Sequence, residues 1–383
     1  MNTMTRRELL KSGAHAAAAL CLPGVLVGCA SEQGRRIGGL VDSGQRDVRS
    51  RVAAIKGDDL YEMTRQALDA LGGIGKVVGE GESVFIKPNM INLPWAQLAN
   101  PFLAGECTKP EILIAVAEQC LIAGASEVVI GDASHRPSFD WANATTLDGS
   151  TNLKVEVQRL AAQYGRKVAL ACLDTESPRL VEIPSSTYLG KIAVSSLAMD
   201  ADRVISVPVL KTHTIAQLTL SLKNLLGITA LQKYSVELPR GENVEPLLWR
   251  MDSFDHSSPE AIAAIYLDIA EAVKPDLAII DASIGLEGDG PAVMFGGKTV
   301  DMKDRLGSWT LLASTDPVAA DATAARITGQ RATDIKQLVM AHDRGLGELD
   351  EDAIDMLGEK LDNLKVEWTP AQQRSWTKPP HAA

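Results

Sequence analysis

Stretches with apolar residues three and four apart alternate along this chain with short aliphatic, β-branched runs, and that alternation restricts its fold more than any other feature. The helical spacing falls at 60–71, 110–123, 153–164, 259–273, 316–327 and 332–342. The strand-like runs fall at 83–86, 127–130, 167–172, 203–207, 277–280 and 310–313. Units of this kind bury themselves by laying helices on a sheet, so the expected fold is α/β, a mostly parallel sheet with helices on both faces. Aromatic residues make up 4% of the chain, which suits an aliphatic core. One echo leaves room for two similar halves, 51–215 and 216–368. A helix, a turn and a strand lead to Asp132-Ala133-Ser134, and the same order leads to Asp281-Ala282-Ser283. Each aspartate is expected at the carboxyl end of its strand, where α/β sheets collect ligands, and turn capping is the plainer role open to either.

The first fifty residues read differently. Arg6-Arg7 precede Leu9, Leu10 and Lys11, a mildly apolar, alanine-rich stretch follows, and Leu26-Val27-Gly28-Cys29 closes it. This is the pattern of a twin-arginine signal peptide, 1–29, with Cys29 as the lipidation site. The apolar stretch is too short for a transmembrane anchor and contains Pro23. Residues 30–50, with Gly34, Gly38, Gly39 and Gly44, read as a flexible tether. The body is then 51–368 and the tail 369–383. Such a protein is expected at the periplasmic face of a bacterial membrane, delivered by the twin-arginine export machinery and touching the membrane only through the lipid at Cys29.

Charge and cysteine content narrow the partners. The leader carries Arg6, Arg7 and Lys11 against Glu8, so its loss takes the formal charge from −11 to −13. A phosphate backbone needs dense basic patches, so nucleic acid is not an expected partner. Beyond the leader, Cys107, Cys120 and Cys172 lack the spacing of a zinc or iron–sulfur set, so no iron–sulfur cluster is predicted. Buried free thiols suit them, and a bridge between Cys107 and Cys120 stays open.

Polar residues then recur where a bland core would exclude them. Phe85-Ile86 runs into Lys87-Pro88-Asn89, and Val209-Leu210 into Lys211-Thr212-His213. Lys223-Asn224 sits inside the apolar segment Leu220 to Gly227. A single lysine after a strand is usually solvated, but three in like positions call for an anion, from the protein or from a ligand. Gly285-Leu286-Glu287-Gly288-Asp289-Gly290-Pro291 reads as a loop whose glycines let backbone approach a ligand, without the spacing of a phosphate-binding loop. Asp316-Pro317 has the signature of a helix start, whereas Asp321, on an alanine-rich first turn, needs another reason.

Taken together, Lys87-Pro88-Asn89, Thr108-Lys109-Pro110-Glu111, Gly131-Asp132, Lys211-Thr212-His213, Lys223-Asn224, Glu287 to Pro291 and Asp316 to Asp321 resemble the domain of unknown function 362 family. The likeness runs in order from about Val52 to Gly329, and His256 resembles a further position. Some relatives carry a ferredoxin-type cysteine cluster after this domain; here no cysteine follows it. The family implies a fold and a site but no reaction.

The expectation from these residues is an enzyme acting on a small anionic substrate. His213, Lys211 and Lys223 are the candidate catalytic groups, and Lys87, Asn89, Asn224 and His256 the candidate substrate contacts. Asp132, Asp281, Asp289 and Asp321 would hold a divalent metal such as magnesium, calcium or manganese, since hard oxygen ligands without thiolates favour these. The alternatives are a non-catalytic lipoprotein that binds an anion or metal, and a purely structural network of ion pairs. Lys87, Asp132, Lys211, His213, Lys223 and Asp281 are expected to line one cleft, with Asp289 at its rim and Asp321 close behind.

Overall fold

The strands are β1 (Ser50–Gly57), β2 (Ser83–Pro88), β3 (Glu127–Asp132), β4 (Lys167–Cys172), β5 (Pro178–Glu182), β6 (Lys191–Ser195), β7 (Arg203–Val207), β8 (Val209–His213), β9 (Gln217–Thr219), β10 (Val236–Leu238), β11 (Leu247–Trp249), β12 (Leu277–Gly288), β13 (Gly297–Asp301), β14 (Trp309–Ser314) and β15 (Ile354–Gly358). The helices are α1 (Leu60–Ala70), α2 (Pro110–Ile122), α3 (Leu153–Tyr164), α4 (Ser196–Asp200), α5 (Ser221–Asn224), α6 (Pro259–Val273), α7 (Met302–Leu306), α8 (Pro317–Ile327) and α9 (Lys336–Asp343). This is a computed structural model, and it describes residues 49–134, 139–175, 177–183, 190–229, 236–238, 247–249 and 254–374. The signal peptide with Arg6, Arg7 and Cys29, nearly all of the tether, and the end of the tail lie outside the described residues.

Local chemistry sets the helix starts. Asp59, Asn152, Ser258 and Asp316 each stand at an N-cap and accept a backbone N–H from the first turn of α1, α3, α6 and α8, which satisfies one of the donors a helix start leaves open. Pro110, Pro259 and Pro317 fill first-turn positions, where a missing N–H costs nothing.

One mixed, mostly parallel sheet of 11 strands organises the body, in the order β15-β1-β14-β12-β7-β2-β3-β4, with β8 and β13 branching from β12 and β9 pairing with β8. Strands β12, β7, β2, β3 and β4 run parallel, while β14 is antiparallel to both β1 and β12. Alternate residues face opposite sides. Phe85, Val129, Val204, Ile280 and Leu312 meet Ile262 and Ile265 of α6, Val318 of α8 and Leu338 of α9. Ile86, Ile130, Ile205, Ile279 and Leu311 meet Met63 of α1, Ile112 and Val116 of α2, and Val157 of α3. Helices therefore cover both faces, as the sequence pattern predicts.

Two expectations are corrected here. Strands β12 and β14 lie between β1 and β7, so no boundary falls near 215, and Ser50–Ala383 forms one compact unit. Asp281 is not at a strand end either, because β12 runs on to Gly288. It leaves β7 after Ala278 and takes β8 as its partner, with an irregularity between Asp281 and Leu286. The glycine stretch is mostly strand, and its glycines serve packing between chains of backbone. A Cβ on Gly285 would stand 2.3 Å from the Leu210 carbonyl oxygen, and one on Gly290 would stand 2.0 Å from that of Thr212.

Candidate functional site

Pro88 ends β2 because it has no N–H to continue the ladder, and the chain turns away there. Asn89 N then donates to Thr108 Oγ1 at 2.9 Å, and the same hydroxyl donates to the Val207 carbonyl at 2.7 Å. One threonine thus ties the ends of β2 and β7 to the approach of α2. At the start of α2, Lys109 has no side-chain cap. Asp281 Oδ2 supplies it from β12, accepting Lys109 N at 3.1 Å and pairing with Lys109 Nζ at 3.3 Å. A carboxylate at a helix start is favoured by the exposed N–H groups and the helix dipole.

Four buried or half-buried lysines result, and their surroundings differ. Lys87 is closed off: its Nζ pairs with Asp132 Oδ1 at 2.5 Å and donates to the Pro88 carbonyl at 2.6 Å and to Asn224 Oδ1 at 3.4 Å. Gly227 lies over this pair so tightly that a Cβ would stand 2.5 Å from Asp132 Oδ1. Lys109 is held by Asp281 and the Ile284 carbonyl. Lys211, wholly buried on β8, donates only to neutral oxygens, the Glu106 carbonyl at 2.8 Å and Asn89 Oδ1 at 3.4 Å. Among the described residues no carboxylate ion-pairs with it. Burial pulls its pKa down to about 8, against the weak opposing pull of Cys107, Glu106 and Asp132. Lys223, half-buried on α5, lies within electrostatic reach of both His213 and His256.

The two histidines are held in opposite tautomers. Nδ1 of His213 accepts the backbone N–H groups of Ile215 at 3.0 Å and Ala216 at 3.1 Å, so its proton resides on Nε2. Nδ1 of His256 stands 2.7 Å from the Phe254 carbonyl, which can only accept, so there the proton resides on Nδ1 and Nε2 carries the lone pair. Burial first, then the charge of Lys223, holds His213 neutral well below the usual histidine range. Burial likewise pushes His256 down to about 4.

The four aspartates are not brought together but serve separate hydrogen-bond networks. Asp132 accepts Met90 N at 2.6 Å and Ala133 N at 2.8 Å besides pairing with Lys87. Asp281 accepts Ser283 N and Oγ as well as its two bonds from Lys109. Both oxygens of each are thus taken by donors. Asp132 and Asp281 also sit three strands apart along β3-β2-β7-β12, about 14 Å at the usual strand spacing, where a shared ion would need about 5 Å. Asp289 accepts Gln372 N at 2.9 Å and pairs with Arg374 at 2.6 Å, which ties down the C-terminal segment. Asp321, on the opposite face from α2, accepts Ser221 N at 2.9 Å and Leu222 N at 3.1 Å and so caps α5. Its burial drives its pKa up to about 7. Among the described residues, the set that brings three ligand-type atoms within 4.8 Å is His342, Glu348 and Asp350, which includes none of these.

The predicted single cleft is therefore a polar seam with distinct stations. Lys87, Asp132 and Asn224 form one closed knot, in which Asn224 Nδ2 also donates to the Lys87 carbonyl at 2.8 Å. Asp281 and Lys109 form a second. Lys211 with Asn89, and His213 with Lys223 and His256, make up the remainder. Lys109, Thr108 and the Glu106 carbonyl were not among the expected site residues, although Thr108-Lys109-Pro110-Glu111 stood out as a motif; its helix-start pattern hid a buried ammonium. Cys107 and Cys120 are buried free thiols.

An α/β body with buried lysines gathered where β2, β7 and β8 end is the class this geometry defines. Residues 84–326 match the family model described as domain of unknown function (DUF362), and the chain belongs to that family. It is 28% identical over 250 residues to a thylakoid-associated protein of Synechocystis, a match covering 63% of this chain and 64% of that one, so it spans less than two thirds of that relative. Among solved structures it is similar to the lactate racemase apoprotein from Thermoanaerobacterium thermosaccharolyticum, at 13% identity and a TM-score of 0.38, over 73% of this chain and 57% of the other. That likeness is too slight to carry an argument.

Proposed function

We propose that this protein is an enzyme acting on a small anionic substrate, bound in the seam by Lys211 and Lys223 beside His213, and that it works as an exported lipoprotein. Lys211 carries the reading. A wholly buried ammonium whose partners are two neutral oxygens is under-compensated, and a bound carboxylate or phosphate would complete it. Lys87 and Lys109 have that compensation from Asp132 and Asp281 and are structural by comparison. A lysine near pKa 8 also changes protonation close to neutral pH, which suits it to polarise or exchange a proton with a substrate.

The test is thermal unfolding of the full chain with inorganic phosphate or pyruvate added. The wild type should gain several degrees as the anion approaches 100 times its Kd, equivalent to about 3 kcal/mol. Lys211→Met should lose that gain while unfolding no earlier than wild type without the anion. No response to either anion, or severe destabilisation of Lys211→Met in their absence, would overturn the reading.

A further inference from the structure

Neutral histidines usually serve either tautomer, and here the fold removes that freedom twice. His213 closes the end of β8, and the turn that follows folds the N–H groups of Ile215 and Ala216 back onto its Nδ1. With two donors on that atom, Nδ1 has no room for a proton. His213 can offer only its Nε2–H, as a hydrogen-bond donor. His256 lies two residues before the Ser258 cap of α6, and the Phe254 carbonyl holds its Nδ1–H. It presents a lone pair at Nε2. Lys223 on α5 acts electrostatically on both rings and His256 on His213, while α5 packs against α6 and β9, and the two rings and the ammonium thus share one neighbourhood. Each ring is buried, 7% exposed, and among the described residues no hydrogen bond reaches Nε2 of either.

A donor that cannot take a proton and an acceptor that can, beside the cation of Lys223, divide the labour of one reaction type. We infer that His256 is the base that removes a proton from carbon next to a carbonyl of a small anionic substrate, with His213 as the fixed donor to that carbonyl oxygen. The inference rests on the anionic-substrate reading above and names its substrate class, a carbonyl compound bearing a carboxylate. In the step, the C–H bond breaks and its proton goes to His256 Nε2. The electron pair forms a carbon–carbon double bond, and the carbonyl π pair moves onto oxygen. The resulting enolate oxygen accepts the hydrogen bond from His213 Nε2–H and faces the charge of Lys223, while His256 becomes the imidazolium and returns the proton. Nothing is oxidised or reduced. A neutral imidazole suits the donor role because it stabilises the oxyanion without itself ionising. The anion and the enolate both favour charge on His256 and so raise its basicity in the complex.

Pyruvate, the smallest carboxylate with a C–H beside a carbonyl, serves as the probe, and exchange of its methyl protons in D2O is followed by NMR. His256→Asn and His213→Asn are the variants of choice. An amide at the δ position can keep the bond to Phe254 or to Ile215 and Ala216, while Nε2 is lost. Wild type should accelerate exchange over buffer, His256→Asn should return it to the buffer rate, and His213→Asn should lose on the order of 100-fold. Pyruvate should still raise the unfolding temperature of both variants. Equal exchange in wild type and His256→Asn would overturn the inference. So would pyruvate binding to wild type with no exchange, a result that leaves the anionic-substrate reading standing. Failure of both pyruvate and phosphate to bind would overturn that reading, and this inference with it. Should a variant fail to fold, long-range ring nitrogen NMR of the wild type decides: a proton on His213 Nδ1 or on His256 Nε2 in the free protein overturns the assignment.

Discussion

Lys211 and Asp321 are both wholly buried and both ionisable, yet stability should answer to pH in opposite directions through them. Lys211 has a folded pKa near 8, below its ordinary value of 10.5, so between those limits the unfolded chain holds more protons. The penalty for its buried charge fades as pH rises from 8 to 10.5. Stability of the wild type relative to Lys211→Met should therefore climb over that window by about 3 kcal/mol, checked by denaturant unfolding at stepped pH. Asp321 is raised from 3.8 to about 7, so here the folded state holds more protons between those values. Stability should fall as pH rises from 4 to 7, and Asp321→Asn, which can still accept one α5 N–H, should flatten that slope. An unchanged slope would place the titration elsewhere. The sequence could show that lysines follow apolar strands, because burial follows from the pattern. Which lysine meets a carboxylate is a tertiary matter: Lys87 finds Asp132 and Lys109 finds Asp281, at 45 and 172 residues' distance, while Lys211 finds none among the described residues. The twin Asp-Ala-Ser echoes illustrate the limit. Identical triplets end in different work, one knotting a lysine and one starting a helix.

Among the elements, periodicity located the helices well. Regions 153–164 and 259–273 are helices over the very residues the spacing marks. Strand β8 and the continuation of β12 escaped, because Pro208 and the glycines at 285, 288 and 290 carry turn signals. Those glycines permit backbone to touch backbone, which no local pattern announces. The C-terminal segment escaped as well. It reads as a tail, yet Gly288 N donates to the Thr369 carbonyl, Thr369 N to Glu287, Gln372 N to Asp289 and Arg374 N to the Thr214 carbonyl, all within 2.9 Å. Gln373 reaches the His213 carbonyl at 3.4 Å. Asp289, expected to bind metal, and Glu287 hold this strap beside the β8–β9 turn. Removing 369–383 should therefore raise amide exchange across 213–216 at least tenfold, equivalent to about 1.4 kcal/mol, with α1 to α3 unaffected. Unaltered exchange in that turn would show the strap to be ornamental to His213.

On the scale of the whole molecule, the order of the sheet bears on the proposed export. Strand β1, the first of the body, pairs with β14 on one side and β15 on the other, so the start of the body is not embedded in the sheet until residues 309–358 exist. Contacts of such sequence separation form late, and folding waits for a nearly complete chain. A route that carries folded cargo suits this topology, and under the proposed export Arg6-Arg7 ahead of Cys29 would be its twin-arginine signal. Changing Arg6 and Arg7 to Lys should leave the protein in the cytoplasm, folded and soluble. Cys29→Ala should be exported yet released from the membrane on fractionation. Gly290→Ala, which sets a Cβ 2.0 Å from the Thr212 carbonyl oxygen, should disturb the sheet by several kcal/mol and reduce export although its signal is intact. Export of the double-lysine variant at the wild-type level would rule out the twin-arginine route. Normal export of a Gly290→Ala variant shown by circular dichroism to be unfolded would rule out the link between folding and passage.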